Sequence, residues 1–249
     1  MPEVNAPPRR PMLAPQAIKL LARLEDSEKP FLPAHNVTVV VARPGEETLA
    51  CGATLSRLRG ARILTVTDGV SPAVNARNLP FRAASRWHEL SRALALAGLK
   101  SSAAIGFGLK EGEASEAPDA LARRFARQFF RDGTAIVLTR ASEGSDGRAI
   151  RRALEIAIAH CTRRGQEIAV IDMPSTDARG REDVVLSLDA SEEALKRRML
   201  ACFSASRLRQ QFYAAEECFR LVPADELDGA GAAKPGVRAL PEVELQATA

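Results

Sequence analysis

Short unbroken apolar runs alternate along this chain with longer stretches in which apolar positions return every three or four residues. Residues 37–42 (VTVVVA) form a continuous β-branched run, the pattern of a strand buried on both faces. Similar runs at 61–67 (ARILTVT), 102–107, 134–139 (TAIVLT), 167–172 and 183–188 predict further strands. Between them the spacing predicts helices over 47–59, 83–97, 118–131 and 147–164, with Gly98, Asp132-Gly133 and Gly165 as stop signals. A short helical stretch around 17–24 precedes the first strand and is broken by Pro30 and Pro33. A final helical region opens at Ser191 and runs toward Cys218, with a break near 204–206.

Strands that alternate with helices of this length imply βαβ units, hence a mostly parallel sheet covered on both faces. The predicted fold is a three-layer α/β/α Rossmann-like domain. Residues 1–33 read as a Pro-rich leader with a short helix, 34–222 as the domain, and 223–249 as a loose tail rich in Gly and Pro. There is no internal repeat. In open parallel sheets ligands bind beyond the carboxyl ends of the strands, so the residues just past Ala42, Thr67, Phe107 and Thr139 are the ones to examine.

Composition narrows the function classes. A chain of 249 residues with 46% hydrophobic and 27% charged residues can bury a full core. Aromatics at 4% supply no stacking platform for single-stranded nucleic acid. The net charge of +4 is scattered among acidic neighbours, which describes a solvated mixed surface and no nucleic-acid partner. Cys51, Cys161, Cys202 and Cys218 form no C-x-x-C pair, so free thiols in a reducing cytoplasm are expected. No apolar run approaches the length of a membrane span, and the Pro-rich first residues lack the apolar core of a secretory signal. The expected location is cytoplasmic.

The segment after the first strand reads Ala42-Arg43-Pro44-Gly45-Glu46-Glu47-Thr48-Leu49-Ala50-Cys51-Gly52-Ala53. It resembles the opening A-H-P-D-D-E-T-L-G-C-G-G signature of the PIG-L/LmbE family of zinc-dependent N-acetylglucosaminyl deacetylases, with Pro44, Glu47, Thr48, Leu49, Cys51 and Gly52 in register. Thr67-Asp68-Gly69 is similar to the family's T-D-G, and Arg86 to Glu89 to its R-x-x-E. The stretch from Phe107 through Glu111 to Glu113 is similar to F-P-D-G-E-L. Thr139-Arg140-Ala141-Ser142-Glu143-Gly144-Ser145-Asp146 resembles a shortened T-H-P-x-E-G-G-H-P-D-H, and Lys196 through Ser204 the late K-x-x-A-L-x-x-Y-x-S-Q.

The resemblance implies a Rossmann-like sheet and hydrolysis of the N-acetyl group of a glucosamine-type sugar. In that family zinc is held by the His and second Asp of H-P-D-D and by the last His of H-P-D-H, while the first Asp is the general base. Carried over by position, the first ligand is Arg43, a permanent cation that cannot coordinate a metal. The base is Gly45, the Asp ligand is Glu46, and the last His falls at or next to Gly147, leaving Asp146 from that segment. A catalytic zinc site needs three protein ligands and an open position. The three histidines, His35, His88 and His160, have no ligand spacing.

The expectation is therefore a member with a degenerate metal site, no cofactor and no catalytic residue. It would act as a pseudoenzyme in glycan metabolism that binds a sugar, a sugar phosphate or a partner protein. The expected ligand-binding residues are Arg43, Glu46, Glu47, Asp68, Arg86, Glu111 and Asp146. Arg43 is expected either to fill the place of the missing cation among Glu46, Glu111 and Asp146, or to bind an anionic ligand group such as a phosphate. The alternative is an active N-deacetylase or amidohydrolase with an altered site built on Glu46, Glu47 and Asp146. Such carboxylates favour harder ions than zinc, although Arg43 argues against any cation. A nucleotide-binding module is disfavoured, since no third Gly follows Gly106 and Gly108 to open a helix.

Overall fold

The structure is a computed structural model that describes residues 15–26, 31–70, 76–140, 144–174, 183–204, 215–223 and 226–227. Its elements run α1 (Pro15–Glu25), β1 (Leu32–Pro33), β2 (Val37–Val41), α2 (Glu46–Arg57), β3 (Leu58–Arg59), β4 (Arg62–Thr67) and α3 (Leu79–Leu96). They continue through β5 (Ala104–Leu109), α4 (Pro118–Asp132), β6 (Ile136–Thr139), α5 (Gly144–Arg163), β7 (Ala169–Asp172), β8 (Val184–Ser187), α6 (Ala190–Ala201) and β9 (Glu216–Val222).

Seven strands form one sheet in the order β5-β4-β2-β6-β7-β9-β8. β5 through β7 pair in parallel, and β9 pairs antiparallel with β7 on one side and β8 on the other. Strand alternation builds the three layers. Val37, Val39 and Val41 of β2 and Ile63 of β4 pack with α1, α2, α3 and α6, while Val40, Leu64 and Val66 pack with α4 and α5. Every residue of β2 is buried, as a strand covered on both faces requires. On the second face Phe125 and Phe129 of α4 stack with ring centroids 5.9 Å apart, both fully buried.

The chain runs outward from β2 through β4 to β5, then crosses back to place β6 on the other side of β2. The strand order therefore reverses between β2 and β6. The carboxyl ends of these strands lead into Ala42-Arg43 and Arg140, the crevice position of a doubly wound sheet.

Three departures from the sequence reading have physical causes. Cys218 lies in the edge-side strand β9, and not at the end of a long final helix, which stops at Ala201. The alternation of β9 is regular, with Glu217, Phe219 and Leu221 inward, but an inward acidic residue hides it from a hydrophobicity pattern. The N-cap of α6 is Asp189, two residues before Ser191, with a capping box closed by Glu192. Residues 58–59 leave the predicted helix to form β3, paired in parallel with β1, so Pro33 sits in a two-residue strand and does not simply break a helix. Helix α1 buries Ala17, Leu20, Leu21 and Leu24 in the same core as α2 and α3.

Candidate functional site

At the end of β2 the backbone must turn sharply into α2. Gly45 makes the turn in the left-handed region (φ 100°), where a Cβ is disfavoured. Gly45 has no side chain to cap the helix, and two glutamates of the first helical turn reach back instead. The Glu46 Oε2 accepts the N–H groups of Ala42 and Arg43 at 3.1 and 3.3 Å. The Glu47 Oε2 accepts the Gly45 N–H at 2.8 Å, and its Oε1 accepts the Thr48 hydroxyl at 2.8 Å. Carboxylates here also face the positive end of the helix dipole.

The Arg43 side chain folds over this turn. Its Nε donates to Glu46 Oε1 at 3.0 Å, and its Nη1 donates to Glu111 Oε1 at 3.3 Å from beyond the end of β5. Burial opposes its charge, but the Glu46 and Glu111 carboxylates outweigh that cost and hold the guanidinium above its ordinary range. The Asp68-Gly69 turn after β4 lies alongside, where a Cβ on Gly69 would meet Pro44 and Arg43 at 3.3 and 3.7 Å. Asp68 accepts the Val70 N–H at 2.9 Å. Its carboxyl is pushed up by burial and by the nearby Glu111 and Glu113, against that hydrogen bond and Lys110. Asp146, in the first turn of α5, accepts the N–H of Gly112, next to Glu111, at 2.7 Å. Its other oxygen, Oδ1, is buried with no hydrogen-bond partner among the described residues.

Of the seven residues expected at a site, Arg43, Glu46 and Glu111 thus share direct bonds, Asp146 joins through Gly112, and Asp68 borders them. Glu47 lies beneath the turn with no exposed surface, and burial pushes its carboxyl up to about 7 despite the hydrogen bonds it accepts. Arg86 is engaged elsewhere, donating to Glu89 at 2.8 Å and to Ser204 at 3.4 Å, which ties α3 to the end of α6. Ala141, Ser142 and Glu143 lie outside the described residues. The histidines stand apart from the turn. His35 packs by Gly60, His88 is exposed on α3, and His160 meets Phe130 edge-on. Among the described residues, no group of three or more His, Cys, Asp or Glu side chains is placed to hold a metal.

One arrangement escaped the sequence reading. Helix α2 is kinked at Cys51 (φ −144°, ψ 33°), which interrupts its hydrogen bonding. The Glu217 carboxylate fills the break, accepting the N–H groups of Ala53 and Thr54 at 2.9 Å each. Lys196 of α6 neutralises it at 2.9 Å, with the two side chains 2% and 0% exposed. The available signal was one Glu in an otherwise apolar inward register of β9.

No family model matches the chain, and no curated protein sequence matches it. Solved structures do. The N,N'-diacetylchitobiose deacetylase from Pyrococcus horikoshii, complexed with its inhibitor, superimposes with TM-score 0.55 at 15% identity, over 84% of this chain and 92% of that one. The fold is that of the LmbE-like deacetylases. A conserved protein from Thermus thermophilus aligns with TM-score 0.54 at 17% identity, over 76% of this chain and 95% of its own. The zinc-inhibited form of teicoplanin deacetylase gives TM-score 0.51 at 14% identity, over 67% and 82%. Among the described residues no helix is long and apolar enough to cross a membrane.

Proposed function

We propose that this deacetylase-fold protein binds a sugar-type ligand at the carboxyl-end rim of its sheet and does not carry out zinc-dependent N-deacetylation. The observation that carries this reading is Arg43, paired with both Glu46 and Glu111 at the position where the resembled signature has its first metal-binding His. Zinc chemistry requires three protein ligands and a water position. Arg43 offers no lone pair. Both oxygens of Glu46 already accept hydrogen bonds from Ala42 and Arg43. Gly45 has no group to take a proton from water. Asp146 keeps one oxygen unbonded among the described residues, and a single carboxylate does not make a zinc site.

One fold neighbour is a deacetylase of N,N'-diacetylchitobiose, a sugar, and that supports a sugar as the ligand class here. The active alternative would use Glu46, Glu47 and Asp146. Glu47 has a carboxyl near 7, suited to general-base work, but it is sealed under Gly45 without access to a substrate. Titration calorimetry with N,N'-diacetylchitobiose, combined with an assay for released acetate, tests the proposal. Binding without acetate release is expected. Acetate release at an enzyme-like rate, abolished in Glu46→Gln, would favour the active alternative, and absence of any binding would refute the sugar site.

A further inference from the structure

An exposed guanidinium at the carboxyl ends of parallel strands would ordinarily attract a phosphate or carboxylate. The Arg43 side chain is 42% exposed, and among the described residues only two of its donor groups, Nε and Nη1, are engaged. The surrounding charge opposes an anion, however. Glu46 and Glu111 both contact Arg43, Asp68 borders it, and Glu111 and Glu113 act together on the Asp68 carboxyl with Lys110 as the nearby counter-charge. Asp146 adds a buried oxygen that no donor among the described residues offsets. Carboxylates outnumber cations among these residues.

The two partners of Arg43 differ in what else they do. Glu46 also closes the backbone turn through Ala42 and Arg43, and its side chain is 9% exposed. Glu111 reaches Arg43 through one bond of 3.3 Å, and its side chain is 28% exposed. Glu111 can therefore be neutralised without undoing the turn. Resting on the reading of this rim as a ligand site, we propose that Glu111 is its specificity-determining residue. By holding Arg43 it keeps anionic ligands out and leaves the rim to uncharged, hydroxyl-rich molecules that donate hydrogen bonds to the carboxylates.

The test is calorimetry of the wild type and Glu111→Gln with three probes: inorganic phosphate, N-acetylglucosamine 1-phosphate and N-acetylglucosamine. Removing one charge a few ångströms from a bound phosphate corresponds to about a tenfold gain in affinity. Both phosphate probes should gain that factor in Glu111→Gln. The gain should weaken with added salt and vanish in the Arg43→Met, Glu111→Gln double variant. N-acetylglucosamine affinity should not rise. Phosphate binding to the wild type as tightly as to Glu111→Gln would overturn the proposal. A phosphate gain with no N-acetylglucosamine binding to either form would support the charge gate and overturn the sugar reading.

Discussion

Replacing Glu217 with Ala should be among the most damaging single changes in the protein. The substitution strands Lys196, whose side chain is 2% exposed and pairs with Glu217 at 2.9 Å. It also strips the acceptors from the Ala53 and Thr54 N–H groups at the kink of α2. Breaking a buried ion pair by removing one partner costs about 3–5 kcal/mol. Each orphaned buried donor costs about 1–3 kcal/mol, overlapping in part with the first figure because both express lost interactions of one carboxylate. A loss of about 5 kcal/mol is the working value, a large part of the ~5–15 kcal/mol that holds a domain together.

Lys196→Met should cost clearly less, about 2–3 kcal/mol, because Glu217 then keeps two charge-assisted hydrogen bonds from the backbone. Urea denaturation at low temperature, followed by circular dichroism, measures both variants. At about 2–4 °C per kcal/mol for a chain of this size, thermal midpoints should fall by roughly 10–20 °C for Glu217→Ala and by half that for Lys196→Met. Equal losses, or a Glu217→Ala loss under about 1 kcal/mol, would refute the argument that the carboxylate serves the kink as well as the lysine.

Two further outcomes follow from the turn at the head of α2. The Glu47 carboxyl sits near 7 in the fold against an ordinary 4.5, so the native state holds this proton more tightly than the unfolded chain. Its stabilising contribution is complete below about pH 4.5 and is lost as pH rises through about 7, a decline of about 3 kcal/mol. Melting curves across that range should fall more steeply for wild type than for Glu47→Gln, and parallel curves would contradict the assignment. Gly45→Ala forces a side chain into φ 100° and should cost about 1–2 kcal/mol by chemical denaturation, so a neutral result would mean the turn relaxes freely.

The layered architecture was legible because its causes are local. A short β-branched run such as 37–41 has the length and composition of a strand buried on both faces, and Gly98, Gly133 and Gly165 sit just past the ends of the helices they stop. The rim was legible for a different reason, since a doubly wound sheet gathers its strand ends whatever their sequence. Arg43, Glu46 and Glu111 meet there, and Asp146 reaches the backbone beside Glu111 through Gly112. Arg86 was harder to place, because a helical arginine finds whichever carboxylate lies one turn away, and here that is Glu89. Glu217 left only a faint trace in the sequence, one acidic residue in the inward register of β9. Its role depends on a kink in a helix distant in sequence and on a lysine from a third element, and no periodicity records such a meeting.

The most direct test of the central claim is the zinc content of the purified protein by elemental analysis, after incubation with excess zinc and its removal. Far less than one zinc per chain is expected, with Arg43 held between Glu46 and Glu111. Near-stoichiometric zinc would contradict it and return the protein to the zinc-dependent deacetylases.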